Sequence, residues 1–147
     1  MKKPSFMPPG ILLLLLGLSI GSVAQKPANW TEKQLMKPAD LANTIAEKNE
    51  LPVIISVGPG AVIPNSFDAG MASTPEGLEK LKAHLKTIDT HKKIVIYCGC
   101  CPFDHCPNVR PAIELLKEMH FTNYYLLNLS HNIRKDWIEK GYPVAAS

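Results

Sequence analysis

The chain has 147 residues, of which 46% are hydrophobic and 20% are charged, with a formal net charge of +3 at pH 7. Two of its 16 lysines and arginines, Lys2 and Lys3, lie in an N-terminal segment that we expect to be removed, which leaves 14 basic against 13 acidic residues. Because basic and acidic residues are nearly equal in number, the charge gives no electrostatic basis for binding nucleic acid or a membrane surface. The remaining length, about 123 residues, suits one domain.

The first 24 residues have the order of a secretory signal. Two lysines precede an apolar run from Ile11 to Ile20, and the small residues Ser22 and Ala24 follow it. The run is far shorter than the ~20 residues of a membrane-spanning helix. We therefore predict that residues 1–24 are a signal peptide and that the protein is exported, periplasmic or secreted, without stable membrane association after removal of the signal. An uncleaved anchor is the alternative.

The first part of the mature chain predicts one helix and one strand. Residues 25–34 are polar, and we expect an extended segment there, followed by a single domain over residues 35–147. Pro38 can begin a short amphipathic helix. The β-branched run from Val53 to Val57 predicts a strand that is buried on both faces.

The middle of the chain continues this alternation. Residues 58–73 are rich in glycine and proline and predict a long loop, after which Thr74 and Pro75 begin a helix. The run from Ile94 to Tyr97 is the second strong strand. Another helix opens at or near Asn108.

The last elements complete an α/β pattern. The segment from Tyr124 to Leu129 predicts a third strand, and RKDWIEKG predicts a short helix that Gly141 ends. Strands alternating with helices of these lengths imply right-handed crossovers between parallel strands. The predicted fold class is α/β, a single domain with a central, mostly parallel sheet and helices on both faces.

All four cysteines lie in one stretch, YCGCCPFDHCPNVRP, from Tyr97 to Pro111. Cys98 comes at the carboxyl end of a predicted central strand, where loops diverge and helix N-termini direct free N–H groups. Such surroundings lower the pKa of a thiol, and Arg110 adds a positive charge at the end of the loop. We therefore predict that Cys98 is a nucleophile whose sulfur is presented as an anion at the rim of the sheet, steadied by main-chain amides.

A metal site is one alternative for this stretch. Its ligands would be Cys98, Cys101, His105 and Cys106, because soft thiolates suit copper(I) or zinc(II). Against it, structural zinc sites usually combine two ligand pairs that a long segment separates, whereas these candidates lie within nine residues. We predict no other cofactor.

Disulfide chemistry is the other alternative. Cys101 with Cys106, or Cys98 with Cys101, could close a short loop, whereas the neighbours Cys100 and Cys101 would form a strained ring. Cys98 and Cys101 also form a C-x-x-C pattern after a strand, as in thiol-disulfide exchange proteins. Two prolines at positions 102 and 107 delay the following helix, which weakens that comparison.

Three segments of the chain resemble the rhodanese-like sulfurtransferase domain. They are IVIYC ending at Cys98, ELLKEMHFTNYYLL from Glu114 to Leu127, and WIEKGYPV ending at Val144. The similarity runs from about Leu35 to Val144. It implies that Cys98 takes a sulfane sulfur from a donor such as thiosulfate, holds it as a persulfide, and passes it to a thiophile, so that the partners are a small sulfur donor or a protein thiol.

The chain departs from that family in two places. The family places an arginine at the fifth position after its cysteine, whereas the helix register here puts Asn108 at that place and lengthens the loop, which begins with Gly99. Arg110 could replace the missing arginine. The D-x-R sequence that follows the first strand in the family is also absent, and residues 56–58 read Ser-Val-Gly.

The additional cysteines suggest a relay. Cys101, Cys106 or Cys100 could resolve a persulfide or mixed disulfide on Cys98, since exchange needs a nearby second thiol. A rhodanese-shaped binding module with an inert, disulfide-closed loop is the remaining possibility.

Overall fold

The computed structural model describes residues 28–48 and 50–146, so the predicted signal peptide lies outside the described residues. Five strands occur there: β1 (Leu35–Met36), β2 (Val53–Ser56), β3 (Phe67–Asp68), β4 (Ile94–Tyr97) and β5 (Tyr124–Leu127). The α-helices of the same residues are α1 (Pro38–Glu47), α2 (Pro75–Leu85), α3 (Val109–Glu118) and α4 (Ile133–Asp136). Two short 3-10 helices cover Glu32–Gln34 and Ile138–Lys140. None of these helices is long and apolar enough to cross a membrane.

The strands form one parallel sheet in the order β1-β5-β4-β2-β3. β4 is therefore the central strand, and all four of its residues are buried. The predicted parallel sheet is confirmed. The two outermost strands, β1 and β3, have only two residues each and were not predicted, because β3 lies inside the expected loop and β1 in a segment without alternation.

The side chains of β4 alternate between two hydrophobic cores, as a pleated strand requires. Ile94 and Ile96 pack on the side that holds α2 and α3. Val95 and Tyr97 pack on the opposite side, with α1 and the buried Trp137. Helices thus cover both faces, as predicted. Cys98 continues the alternation and lies on the α2 and α3 side.

The N-terminal segment, for which we expected an extended conformation, contains a 3-10 turn. Thr31 and Gln34 hold its ends together, since the Thr31 amide donates to Gln34 Oε1 at 3.0 Å. Before this turn, the Asn29 side-chain amide donates to the Arg110 carbonyl at 3.0 Å, and Trp30 lies against a residue of the loop before α3. The segment therefore braces the region between β4 and α3.

Candidate active site

The loop from Cys98 to Asn108, called the cysteine loop below, leaves the carboxyl end of the central strand β4. Two backbone hydrogen bonds fasten it to the segment after β5: the Ile133 amide donates to the Gly99 carbonyl, and the Phe103 amide donates to the Leu129 carbonyl, both at 3.0 Å. A tight turn then returns the chain to the core. Its path is therefore fixed by contacts with residues that lie far along the sequence.

This path brings four sulfur atoms together. All four Sγ atoms lie within 4.8 Å of one another, with Cys98 and Cys100 at 3.3 Å and Cys100 and Cys101 at 3.2 Å. Cys98 and Cys106 are buried and are called the inner thiols; Cys100 and Cys101, exposed and half-buried, are called the outer thiols. All four are free thiols here, so neither disulfide pair considered above is formed, and disulfide closure stays a prediction.

The two inner thiols carry one negative charge between them, and it lies on Cys98. The Cys106 thiol makes the largest contribution to lowering the pKa of Cys98, from 9.0 to about 5, and burial opposes it. Smaller contributions come from the backbone amide of Cys100 and from the side chains of Asn108 and Cys100. The same hydrogen bond and burial raise the pKa of Cys106, and burial with neighbouring sulfurs raises that of Cys100 to about 12. At neutral pH Cys98 is thus the thiolate, and Cys106 and Cys100 are its donors.

Asn108 connects the thiolate to a distant loop. It is only 2% exposed and stands immediately before α3. Its Nδ2 donates to Cys98 Sγ at 3.5 Å, while its Oδ1 accepts from the Ser73 amide at 3.0 Å. The acceptance from Ser73 fixes the orientation of the side-chain amide, so the donor side faces the sulfur. Asn108 stands at the N-terminus of α3, and its contact with Cys98 was not expected.

Gly58 is a site residue that the sequence reasoning missed. A Cβ atom there would lie 2.6 Å from Cys98 Sγ, so the sulfur occupies the space that any side chain would need. The sequence did mark this position as unusual, since Ser56-Val57-Gly58 stands where the rhodanese-like family has D-x-R. Ser56 closes this turn by donating its hydroxyl to the Gly60 carbonyl at 2.7 Å.

The surroundings of Cys98 correct one expectation. We expected a sulfur presented at the rim of the sheet by several main-chain amides, but Cys98 is 1% exposed and packs in the core beside α3. Cys100 supplies the one main-chain amide among the groups that lower its pKa. The anion is therefore held mainly by side chains, and an external sulfur donor meets the outer thiols first.

Two other predicted residues, Arg110 and His105, both contact Asp104. Arg110 donates to the Asp104 carbonyl at 3.3 Å, and its guanidinium lies 5.3 Å from the centre of the Trp30 ring. His105 is exposed and its Nδ1 lies 2.9 Å from Asp104 Oδ1. The group of side chains that could hold a metal ion consists of the four cysteines, with Cys100 in the place that we had given to His105.

Comparison with known proteins identifies the fold. No protein-family model and no curated protein matches the chain. Among solved structures, a rhodanese-related protein from Thermoplasma volcanium has 23% identity and a TM-score of 0.50, and the alignment covers 76% of this chain and 96% of that one. A single-domain sulfurtransferase from Saccharomyces cerevisiae has 17% identity and a TM-score of 0.53 over 76% and 95%.

A third structure contains a cysteine persulfide. It is a variant of EanB in complex with ergothioneine, covalently linked with a persulfide cysteine, at 18% identity and a TM-score of 0.54. The alignment covers 76% of this chain and 27% of that one. The fold of the present chain is therefore that of a single rhodanese-like domain, as the sequence predicted.

Proposed function

We propose that the protein is a sulfurtransferase or sulfur carrier that holds a sulfane sulfur as a persulfide on Cys98. One observation carries the proposal: at the carboxyl end of the central strand, the Cys98 sulfur lies 3.3 Å from the Cys100 sulfur and accepts from Asn108 Nδ2 at 3.5 Å, and its pKa is lowered to about 5. A thiolate rather than a thiol is the nucleophile in sulfur exchange. Fold neighbours that include a sulfurtransferase support the same chemistry.

In the first step, a donor that has passed the outer thiols reaches Cys98, and the Cys98 thiolate attacks its sulfane sulfur. With thiosulfate, a new S–S bond forms to Cys98, the sulfur–sulfur bond of thiosulfate breaks, and sulfite leaves with its electron pair. Cys98 then carries a persulfide anion. The donors that held the thiolate, namely Cys106, Asn108 and the Cys100 amide, are placed to hold this anion as well.

In the second step, sulfur leaves by way of Cys100. Its sulfur is 3.3 Å from that of Cys98 and is exposed, whereas Cys98 is buried. The Cys100 thiol passes its proton to the persulfide anion, and the resulting Cys100 thiolate attacks the outer sulfur, which forms a protonated persulfide on Cys100 and returns Cys98 as the thiolate. Attack on the inner sulfur instead forms a Cys98–Cys100 disulfide and releases hydrosulfide. Both routes need a second thiol close by, and the half-buried Cys101 provides a further thiol 3.2 Å from Cys100.

Arg110 and Gly99 support this site as positioning residues. The Arg110 guanidinium joins the cysteine loop to the N-terminal segment through Asp104 and Trp30. Gly99 fits against Ile133, whose side chain would lie 3.0 Å from a Cβ at that position. Both contacts keep the loop in the path that gathers the thiols.

Intact-mass analysis tests the proposal. Reduced protein, incubated anaerobically with thiosulfate or with a low-molecular-weight persulfide, is expected to gain the mass of one sulfur atom, and reductant is expected to remove it. Cys98→Ser should take up none. His105→Ala is a matched control in the same loop, because His105 contacts Asp104 and not the thiols. Uptake of sulfur by Cys98→Ser, or its absence in the wild type with both donors, would show instead an inert binding module or another nucleophile.

We also propose that the protein is exported. The support is the order of charged, apolar and small residues over positions 1–24. Cell fractionation with mass analysis of the purified protein should find it outside the cytoplasm with its N-terminus near Gln25. A protein that retains Met1 and fractionates with the cytoplasm contradicts export without affecting the proposed chemistry.

A further inference from the structure

We propose that the four thiols of the cysteine loop bind one soft, thiophilic cation, zinc(II) or copper(I), and that the bound cation keeps sulfane sulfur off Cys98. The binding half stands on geometry alone. The second half rests on the proposed function, because it concerns regulation of the same sulfur atom.

The distances between the sulfurs fit one tetrahedral ion. Zinc–sulfur bonds of about 2.3 Å at tetrahedral angles place sulfur atoms about 3.8 Å apart. In this structure every pair of the four sulfurs lies within 4.8 Å, and two pairs are at 3.2 and 3.3 Å. Closing around an ion therefore requires the short contacts to open by about half an ångström and the longest to shorten by at most about 1 Å.

The ligands are held from opposite ends of the loop. Cys98 follows β4 directly, and Cys106 lies in the turn before α3, where its amide donates to the Phe103 carbonyl at 3.4 Å. The neighbouring residues Cys100 and Cys101 direct their sulfurs to the same place, so their adjacency in sequence does not prevent both from binding one ion. The chain thus achieves with one anchored loop what zinc sites usually achieve with two separated ligand pairs.

The donor set selects the class of ion. The group contains sulfur atoms only, and neither a carboxylate nor an imidazole belongs to it. Hard cations such as Mg²⁺ and Ca²⁺ require oxygen ligands, whereas thiolates favour zinc(II) and copper(I). The Asn108 amide and the N-terminus of α3 supply positive potential to the resulting anionic centre.

A bound ion would make Cys98 a poorer nucleophile. A cysteine sulfur that shares an electron pair with a metal ion attacks a sulfane sulfur more slowly, and two of the four sulfurs that close the ligand shell are the outer thiols that a donor meets first. No electron is transferred in binding, so removal of the ion by a chelator returns the free thiols. The exposed Cys100 makes such removal feasible, because a competing ligand can reach its sulfur first.

Metal titration tests the binding half. Reduced protein is titrated with cobalt(II) as a spectroscopic probe, then with zinc(II) and copper(I), and the complexes are examined by native mass spectrometry. We expect one ion per chain, with the absorption bands of tetrahedral thiolate coordination for cobalt(II). Cys100→Ser and Cys101→Ser, which alter the exposed and the half-buried thiol and leave the buried pair in place, are each expected to weaken zinc(II) binding by roughly 100-fold or more.

The His105→Ala protein is the matched control and should bind as the wild type does. Competition between zinc(II) and copper(I) shows which of the two ions the site prefers. If neither gives a complex with one ion per chain, or if the complex is unchanged in both outer-thiol variants, the metal site is wrong.

A comparison of sulfur uptake with and without the ion tests the second half. The zinc(II)-loaded protein is expected to acquire persulfide at least ~10-fold more slowly than the metal-free protein, and a chelator should restore the rate. Equal rates in the two forms would overturn the regulatory half and leave the proposed function standing. A protein that binds the ion through four thiols but takes up no sulfur in either form would refute the proposed function and leave the metal site standing.

Discussion

The inner and outer thiols are close in sequence and in space, yet their surroundings give them opposite properties. Cys98 and Cys106 are buried against the sheet, where donors concentrate negative charge on Cys98. Cys100 is exposed and Cys101 is half-buried, and the pKa of Cys100 is raised to about 12. One pair thus provides reactivity and the other provides access.

This difference between the inner and outer thiols explains why the loop has more than one thiol. A sulfur that is stabilised as an anion by buried donors is poorly reached from solvent, and an exposed sulfur lacks those donors. A contact of 3.3 Å between the Cys98 and Cys100 sulfurs joins the two properties. The predictions that follow test this difference by changing one residue at or near the thiols at a time.

The largest effect is expected where a side chain would displace the inner sulfur. Gly58→Ala places a Cβ 2.6 Å from Cys98 Sγ, so the sulfur must move, and a shift of about 1 Å at a reacting atom can lower the rate by roughly 100-fold. Persulfide formation, followed by intact mass, measures the loss. Gly60→Ala is the control: its Cβ meets nothing within 4 Å, so it strains the turn through its positive φ without touching the sulfur. Equal losses in both variants would point to general destabilisation.

The next largest effect is expected from the inner donor. Cys106→Ala removes the group that contributes most to lowering the pKa of Cys98, so that pKa should rise. At pH 6 the thiolate population of Cys98, and with it the rate of persulfide formation, should therefore fall, by roughly tenfold. Cys101→Ala should leave the pKa unchanged, since Cys101 is not among the groups that shift it. Similar pH profiles for the two variants would erase the distinction between inner and outer thiols.

A smaller change is expected at Asn108. Asn108→Asp keeps an acceptor for the Ser73 amide but puts a carboxylate beside the thiolate, so the pKa of Cys98 should rise and the rate at pH 6 should fall. Asn108→Ala also leaves that amide without its acceptor, which should cost about 1–3 kcal/mol of unfolding free energy. Denaturant unfolding and the pH profile of persulfide formation distinguish the two. Equal stability of both variants would contradict the bridging role.

The smallest effect is expected from Arg110→Gln. The guanidinium contacts Asp104 and Trp30 and is not among the groups that lower the pKa of Cys98, so it should act through the position of the loop. We expect a rate reduced by roughly threefold and an unchanged pH profile, with a loss of ~1 kcal/mol or less in unfolding free energy. A shifted pH profile would show that the charge of Arg110 acts on the thiolate directly.

The sequence predicted the long elements well because each carries its own signal. The β-branched run of β2 and the apolar β4 lie in the middle of the sheet, where burial on both faces produces the pattern. Pro38 and Pro75 both stand at the first helical position, as predicted. The two-residue strands β1 and β3 are too short for any periodicity, and only pairing with their neighbours defines them.

The site was predictable in its location but not in its contacts. The end of β4 identified Cys98, and the helix register identified Asn108. The convergence of four sulfurs depends on the bond from Ile133 to Gly99, which joins residues far apart in the chain. The space that Gly58 leaves for the sulfur likewise follows from the neighbouring positions of β2 and β4. No local pattern encodes such long-range contacts.

The central claim is that Cys98 is an anion at neutral pH while Cys100 and Cys106 remain protonated. The most direct test is the ultraviolet absorbance of thiolates during a pH titration of the reduced protein, taken as the difference between the wild type and Cys98→Ser. We predict that one thiolate appears in this difference with a midpoint at about pH 5. A midpoint in the ordinary range of cysteine, roughly 8 to 9, would contradict the account.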